Sequence, residues 1–140
     1  MTQESSPEKA TIILHSGSYD RASFALSLAL GALACGMEVD MLLTYDGLLR
    51  FTKGHLADLD DETSPLVRES FERGLKIGNI QTLGNRLCEA KELGLKLYAC
   101  PASMAILNIT EDELVDEVDG VMGVVTFVSH ARDAAINWYI

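Results

Sequence analysis

Lys96-Leu97-Tyr98-Ala99-Cys100-Pro101-Ala102-Ser103-Met104 joins a short apolar run to a helix start at a cysteine. Pro101 fits the first helical position, where its missing N–H has no partner to lose. Cys100 therefore stands at or beside the helix N-cap. Unpaired N–H groups and the positive end of the helix dipole favour a thiolate there, the setting in which cysteine pKa values fall from about 8.5 to roughly 3.5–7.5. The alternative is that Cys100 is a small hydrophobe closing the strand, since free cysteines are among the most buried residue types. Cys35, just before the Gly36 helix stop, and Cys88, inside a helical pattern, read as packing residues without an activator.

His15 follows the first apolar run and can hydrogen-bond a substrate or influence Cys100. It can equally close its strand with a backbone contact. Ser16-Gly17-Ser18 before a helix has the character of an anion cradle, because glycine lets backbone approach and a helix start offers N–H groups. It is not a P-loop, since the Lys-Ser/Thr pair is missing, and no GxGxxG occurs. His55 and His130 have no ligand-like spacing with His15, so no metal site is expected. A Ser-His-Asp hydrolase lacks its nucleophile elbow.

Strand and helix signals alternate around these residues. Thr11 to His15 reads as a strand, Asp20 as the cap of a helix running to Gly36, and Val39 to Tyr45 as a second buried strand. Ile77, Ile80, Leu83, Leu87 and Cys88 mark a helix over 77–93 with Gly94 as its stop. Leu95 to Ala99 is the third strand. Thr110-Glu111-Asp112-Glu113 is a capping box for a short helix to about Glu117. Val118 to Met122, Val124 to Ala131 and Ala135 to Tyr139 read as strand, helix and strand. Strands rich in Val, Ile and Leu and separated by helices imply a mostly parallel sheet covered on both faces. The ligand crevice of such a sheet lies beyond the strand carboxyl ends, the edge carrying His15 to Ser18, Tyr45 to Leu48, Cys100 and Gly120 to Gly123.

At 140 residues and 48% hydrophobic content, one domain over 10–140 is expected, after a polar, disordered tail over 1–9. The tail lacks the apolar core of a signal peptide. A net charge of −10 and a pI near 4.6 argue against nucleic-acid or anionic-membrane partners. Three cysteines with no CxxC pair fit a reducing cytoplasm and neither a disulfide framework nor a zinc site. Ala22 to Cys35 is too short for a membrane span, and its apolar residues on all sides suggest burial between the sheet and a second helix or neighbouring subunit. Residues 50–74 form an acidic insertion with Asp58, Asp60, Asp61 and Glu62 ahead of Ser64-Pro65, read as a solvated surface segment in preference to a lid.

With these residues in view, the chain resembles the DsrE/DsrF-like family, including its peroxiredoxin-like branch. Ser16-Gly17-x-x-Asp20-Arg21, Gly36-Met37-Glu38-Val39 and Thr44-Tyr45-x-Gly47-Leu48 carry the likeness in the first half. The second half carries it in 90–104, Glu113-Leu114-Val115-Asp116 and Asn137-x-x-Ile140. The resemblance implies a three-layer α/β/α domain with a parallel sheet of about five strands, assembled as a trimer or hexamer. It further implies a sulfur carrier or sulfurtransferase-like protein; no cofactor is expected. Cys100 would hold sulfane sulfur as a persulfide and exchange it with donor and acceptor proteins or small sulfane-sulfur compounds. His15, Ser16, Gly17, Tyr45 and Ser103 would shape the substrate site. Pro101-Ala102 and the acidic 50–74 segment depart from the family pattern. The alternative is a non-catalytic oligomeric module that binds a small anionic metabolite or cofactor. Peroxidase chemistry is weaker, as no Thr-x-x-Cys motif occurs.

Overall fold

A computed structural model describes residues 6–140; of the expected tail, residues 1–5 lie outside the described residues. Five strands, β1 (Lys9–Leu14), β2 (Glu38–Leu43), β3 (Lys96–Ala99), β4 (Gly120–Val121) and β5 (Ile136–Tyr139), form one sheet in the order β4-β3-β2-β1-β5. Every pairing is parallel. Lys9, read from sequence as the end of the tail, is already in register with Glu38.

The strand order explains the layers. From β1 through β4 each strand is added on the same side of its predecessor, so right-handed connections place their helices on one face of the sheet. α1 (Tyr19–Ala34) and α4 (Leu83–Glu92) pack together there over Ile12, Leu14, Met41, Leu43, Leu97 and Ala99. α2 (Tyr45–Arg50) and α5 (Pro101–Leu107) also pack together, and α3 (Pro65–Ile77) sets Phe71 edge-on to Tyr19 at 5.0 Å. Only the β4-to-β5 connection reverses direction, and its helix α6 (Val124–Ala131) lies on the opposite face, where Phe127 packs with Leu42. The third layer is thus this one short helix. Its outer surface leaves Val124, Val125 and Val128 exposed, and residues 120–131 contain no Asp, Glu, Lys or Arg.

Several elements differ from the sequence expectations. Ser18, not Asp20, is the N-cap of α1, and Asp20 lies in its first turn. α1 packs between the sheet and α4, with Phe24 on the side left exposed in the single chain. The helix expected over 77–93 is two helices: Gly78 ends α3 in the left-handed region at φ 87°, and the Thr82 hydroxyl accepts from Asn85 N to begin α4. Ile80 turns back against Gly74 instead of continuing a helical face. The Thr110 capping box begins only a 3-10 turn over Glu111–Glu113.

Residues 50–74 are anchored, not merely solvated. The buried Arg50 guanidinium donates from Nε to Gly17 O (2.9 Å), from Nη1 to His55 O (2.9 Å) and to Asp58 O, and from Nη2 to the Asp60 carboxylate (2.7 Å). Asp60 also accepts from Tyr19 N (2.8 Å) and Thr63 N (2.9 Å). Burial alone raises the pKa of this carboxyl, but the two backbone N–H donors and Arg50 outweigh it and hold the group below its usual value. The sign follows: the stabilisation is complete above the ordinary aspartate value of 3.8 and fades as pH falls through the depressed folded value. Arg50→Met should lower stability by about 3 kcal/mol in urea unfolding, because it leaves a carboxylate and several carbonyls unpaired in a largely buried setting. Asp60→Asn should cost less and remove the acid-dependent loosening of residues 51–63 followed by amide exchange.

Candidate functional site

Register fixes which side chains meet at the carboxyl edge. Leu14 pairs with Leu43 and Leu43 with Ala99, all three facing the α1 layer. The next residue in each strand, His15, Thr44 and Cys100, therefore forms a row on the other face, the one that α6 covers. Cys100 N donates to Leu43 O at 3.1 Å, continuing the ladder, and Cys100 O accepts from Met104 N at 3.0 Å, starting α5. Cys100 is the N-cap of α5, with extended backbone (φ −77°, ψ 120°) and no side-chain cap hydrogen bond.

The same edge is a topological switch point. β3 leads into α5, whose Met104 and Leu107 join the core on the α1 side, whereas β4 leads through the Gly123 N-cap into α6 on the opposite side. Adjacent strands whose connections diverge open a crevice between them, and two helix starts border this one. Met122 N donates to Ala99 O at 3.0 Å, and Met122 packs in the same small cluster as Cys100.

Of the three cysteines, Cys100 is the buried one, at 3% exposure, while Cys35 and Cys88 are exposed. The packing role expected of Cys35 and Cys88 is therefore overturned. Cys35 caps the end of α1, and the Cys88 thiol faces Glu117 at 3.8 Å. Ser103, three residues after Cys100 and so on the same face of the helix start, is fully buried. Its Oγ has no hydrogen-bond partner among the described residues. An orphaned buried hydroxyl costs about 1–3 kcal/mol and calls for a function or a ligand.

His15 donates or accepts through Nδ1 at 2.9 Å from Thr44 Oγ1, and no hydrogen bond joins it to Cys100 among the described residues. Two strand spacings, about 10 Å, separate the two positions, with Thr44 between them. Thr44 Oγ1 also lies 3.5 Å from Leu14 O, so the Thr44 hydroxyl bridges His15 Nδ1 and the β1 carbonyl. Tyr45 lies 4.9 Å from the His15 ring and Tyr139 stacks on it at 5.8 Å, so these three aromatics form one group. Tyr139 was not singled out from sequence. Only the β1–β5 pairing, which sets Tyr139 opposite Ile13, brings it there.

Ser16 and Gly17 face a different surroundings. Ser16 Oγ accepts from Ser18 N and lies 3.2 Å from Ser18 Oγ. Gly17 borders a cleft of about 220 Å³ lined by Asp46, Asp58, Asp60 and Glu62, which does not include Cys100. At the α1 start, the N–H of Tyr19 donates to Asp60, so a carboxylate of the chain itself stands where a bound anion was expected. Among the described residues no group of three or more His, Cys, Asp or Glu is placed to hold a metal ion, and no helix is long and apolar enough to cross a membrane.

Two backbone positions hold the edge together. Tyr45 has φ 47°, a left-handed conformation that costs an aromatic residue about 1–3 kcal/mol. Gly47 donates its N–H to His15 O at 3.1 Å, and a Cβ there would collide with the Leu14 carbonyl. Gly47→Ala should therefore lower stability by about 1–3 kcal/mol through overpacking. Tyr45→Val should be less stable than Tyr45→Gly by about 1 kcal/mol or more, since a branched side chain tolerates positive φ least. Thermal or urea unfolding of these variants checks both.

Comparison with known proteins agrees with this architecture. The uncharacterized protein YrkE of Bacillus subtilis (strain 168) is 30% identical over 163 aligned positions that span the whole of both chains. MTH1491 of Methanobacterium thermoautotrophicum, a protein of unknown function, shares the fold with a TM-score of 0.64 over 94% of this chain and 98% of its own, at 12% identity. Residues 62–139, more than half the chain and including Cys100, Ser103 and α6, match the DsrE/DsrF/DrsH-like family. The chain belongs to the DsrE/DsrF/DrsH-like family.

Proposed function

We propose that the protein is a carrier of sulfane sulfur, with Cys100 as the atom-bearing residue. The observation that carries this reading is the cysteine at the α5 start, on the switch-point edge of the sheet, with the unpartnered Ser103 hydroxyl one turn beyond it. The family's link to sulfur relay is consistent with it. In the loading step the Cys100 thiolate attacks the outer sulfur of a donor persulfide. The donor S–S bond breaks, a new one forms at Cys100, and the donor leaves as a thiolate. In the unloading step an acceptor thiolate attacks the outer sulfur of the Cys100 persulfide and Cys100 departs as the thiolate, so neither step needs an external oxidant.

The Ser103 hydroxyl, unpartnered among the described residues, supplies a donor for the terminal sulfur anion, and the first N–H groups of α5 add to it. His15 and Tyr45 border the approach along the same edge; Ser16 and Gly17 lie further along it. The partners are donor and acceptor thiols, on proteins or on small sulfane-sulfur compounds. The setting is the cytoplasm, where thiols stay reduced. The assembled form is a homo-oligomer.

Incubation of the reduced protein with a low-molecular-weight persulfide, followed by intact and peptide mass spectrometry, tests this. One added sulfur atom, removed by dithiothreitol and confined to the Cys100 peptide, is the expected result. Cys100→Ser should abolish it without altering the fold, Cys35→Ser and Cys88→Ser should leave it, and Ser103→Ala should shorten the lifetime of the adduct. Loading that persists in Cys100→Ser, or fails on a folded wild-type protein, sinks the carrier reading.

A further inference from the structure

A carrier thiol must meet a donor and then an acceptor, yet Cys100 is 3% exposed while the two cysteines outside the site are open to solvent. What covers Cys100 is α6. Phe127, 1% exposed, packs with Leu42 against Cys100, and Ile13, Tyr98, Met122 and Ala131 close the margins. Phe127 is the single buried residue of α6, whose outer side leaves Val124 (54%), Val125 (86%) and Val128 (55%) exposed.

One turn beyond Phe127, the helix is tied by a second contact. His130 Nδ1 lies 3.1 Å from the Asp40 carboxylate, which also pairs with Lys9 Nζ at 3.1 Å. Asp40 is 5% exposed in the middle of β2, two residues before Leu42 on the same sheet face. Helix α6 is therefore held by an apolar plug at the thiol and a polar tie beneath it. Its N-terminus is Gly123, where an added Cβ would meet nothing. A short helix with one buried side chain is the kind of element that opens locally at small cost while the rest of the fold stays intact.

Resting on the carrier reading and extending it, we propose that α6 is the gate to Cys100, with Phe127 as the plug and the His130–Asp40 contact as the tie. Withdrawal of Phe127 from its cluster with Leu42 and Cys100 admits the donor, and later the acceptor, along the edge between β3 and β4. Between exchanges the closed helix shields the persulfide from solvent thiols. Phe127 is a positioning residue: it sets access and touches neither sulfur being transferred.

The test is the rate of iodoacetamide alkylation of each cysteine in the native full chain, read by peptide mass spectrometry across a series of low urea concentrations, with Cys35 and Cys88 as internal controls. In the wild type, Cys100 should react well behind Cys35 and Cys88, at a rate almost independent of low urea, as expected for local and not global opening. Phe127→Ala should raise the Cys100 rate by about tenfold or more with the control rates unchanged. Phe127→Leu should return it toward wild type, and His130→Ala should give an intermediate rise. His130→Ala also carries the test if Phe127→Ala does not fold.

A wild-type Cys100 as reactive as the controls overturns the gate. So does a rate unchanged in folded Phe127→Ala or His130→Ala, or one that tracks global unfolding. Persulfide loading is measured on the same samples. Gated alkylation without loading removes the carrier reading and leaves the gate standing, whereas loading at an ungated Cys100 does the reverse.

Discussion

A parallel sheet can connect its strands only through crossovers of one hand, and this constraint organises the molecule. Four strands laid down in the same direction send their helices to one face, and a single reversal sends α6 to the other. The asymmetry is large: one face supports a continuous core from Ala10 to Leu114, whereas the other is covered only by a small cluster around Leu42, Cys100 and Phe127. The reversal also makes the connections that leave β3 and β4 diverge to opposite faces at their carboxyl ends. Cys100 is thus both at the crevice and beneath the thinnest layer of the protein, and the two properties have the same topological origin.

The acidic character has a structural component that net charge alone hides. Asp60 completes the α1 N-terminus and Arg50 neutralises it from inside the protein, while Asp40 sits nearly buried between Lys9 and His130. Asp119 similarly accepts from Leu97 N and pairs with Lys91, tying β3 to the segment before β4. Around the same sheet face, burial is the main cause and Asp40 the next in raising the Tyr98 phenol above its usual pKa, so that ring stays neutral beside α6. These carboxylates act at fixed points, each matched by N–H groups or cations, and the remainder of the charge is left to the surface.

The alternation of strands and helices was legible because it rests on local periodicity and stop residues. The Val124–Ala131 helix and the Cys100 N-cap, marked by Pro101, were found on those grounds. The break at Gly78 was obscured because Ile77, Ile80 and Leu83 keep helical spacing across it, although Gly78 turns the chain and sets Ile80 against Gly74. Arg50 gave no signal, since its four acceptors are three carbonyls and a carboxylate spread from Gly17 to Asp60. Phe127 and Tyr139 were invisible as site residues for a similar reason: Phe127 reaches the edge by packing across the sheet face and Tyr139 through the β1–β5 pairing. The exposure of Cys35 and Cys88 and the burial of Cys100 likewise follow from which face the helices present, which composition does not specify.

The charge-free tract of α6 has a consequence for how these molecules meet one another. Two copies carrying −10 each repel at most approaches, and residues 120–131 offer a contact at which no carboxylate is brought against another from within the tract itself. Added electrolyte shortens the range of the repulsion, to about 10 Å at 0.1 M, without weakening the contact of Val124, Val125 and Val128 with an apolar surface. Association through this face would therefore strengthen with ionic strength, the reverse of an interface built on ion pairs, so the helix that shields the thiol would respond to the salt content of its surroundings.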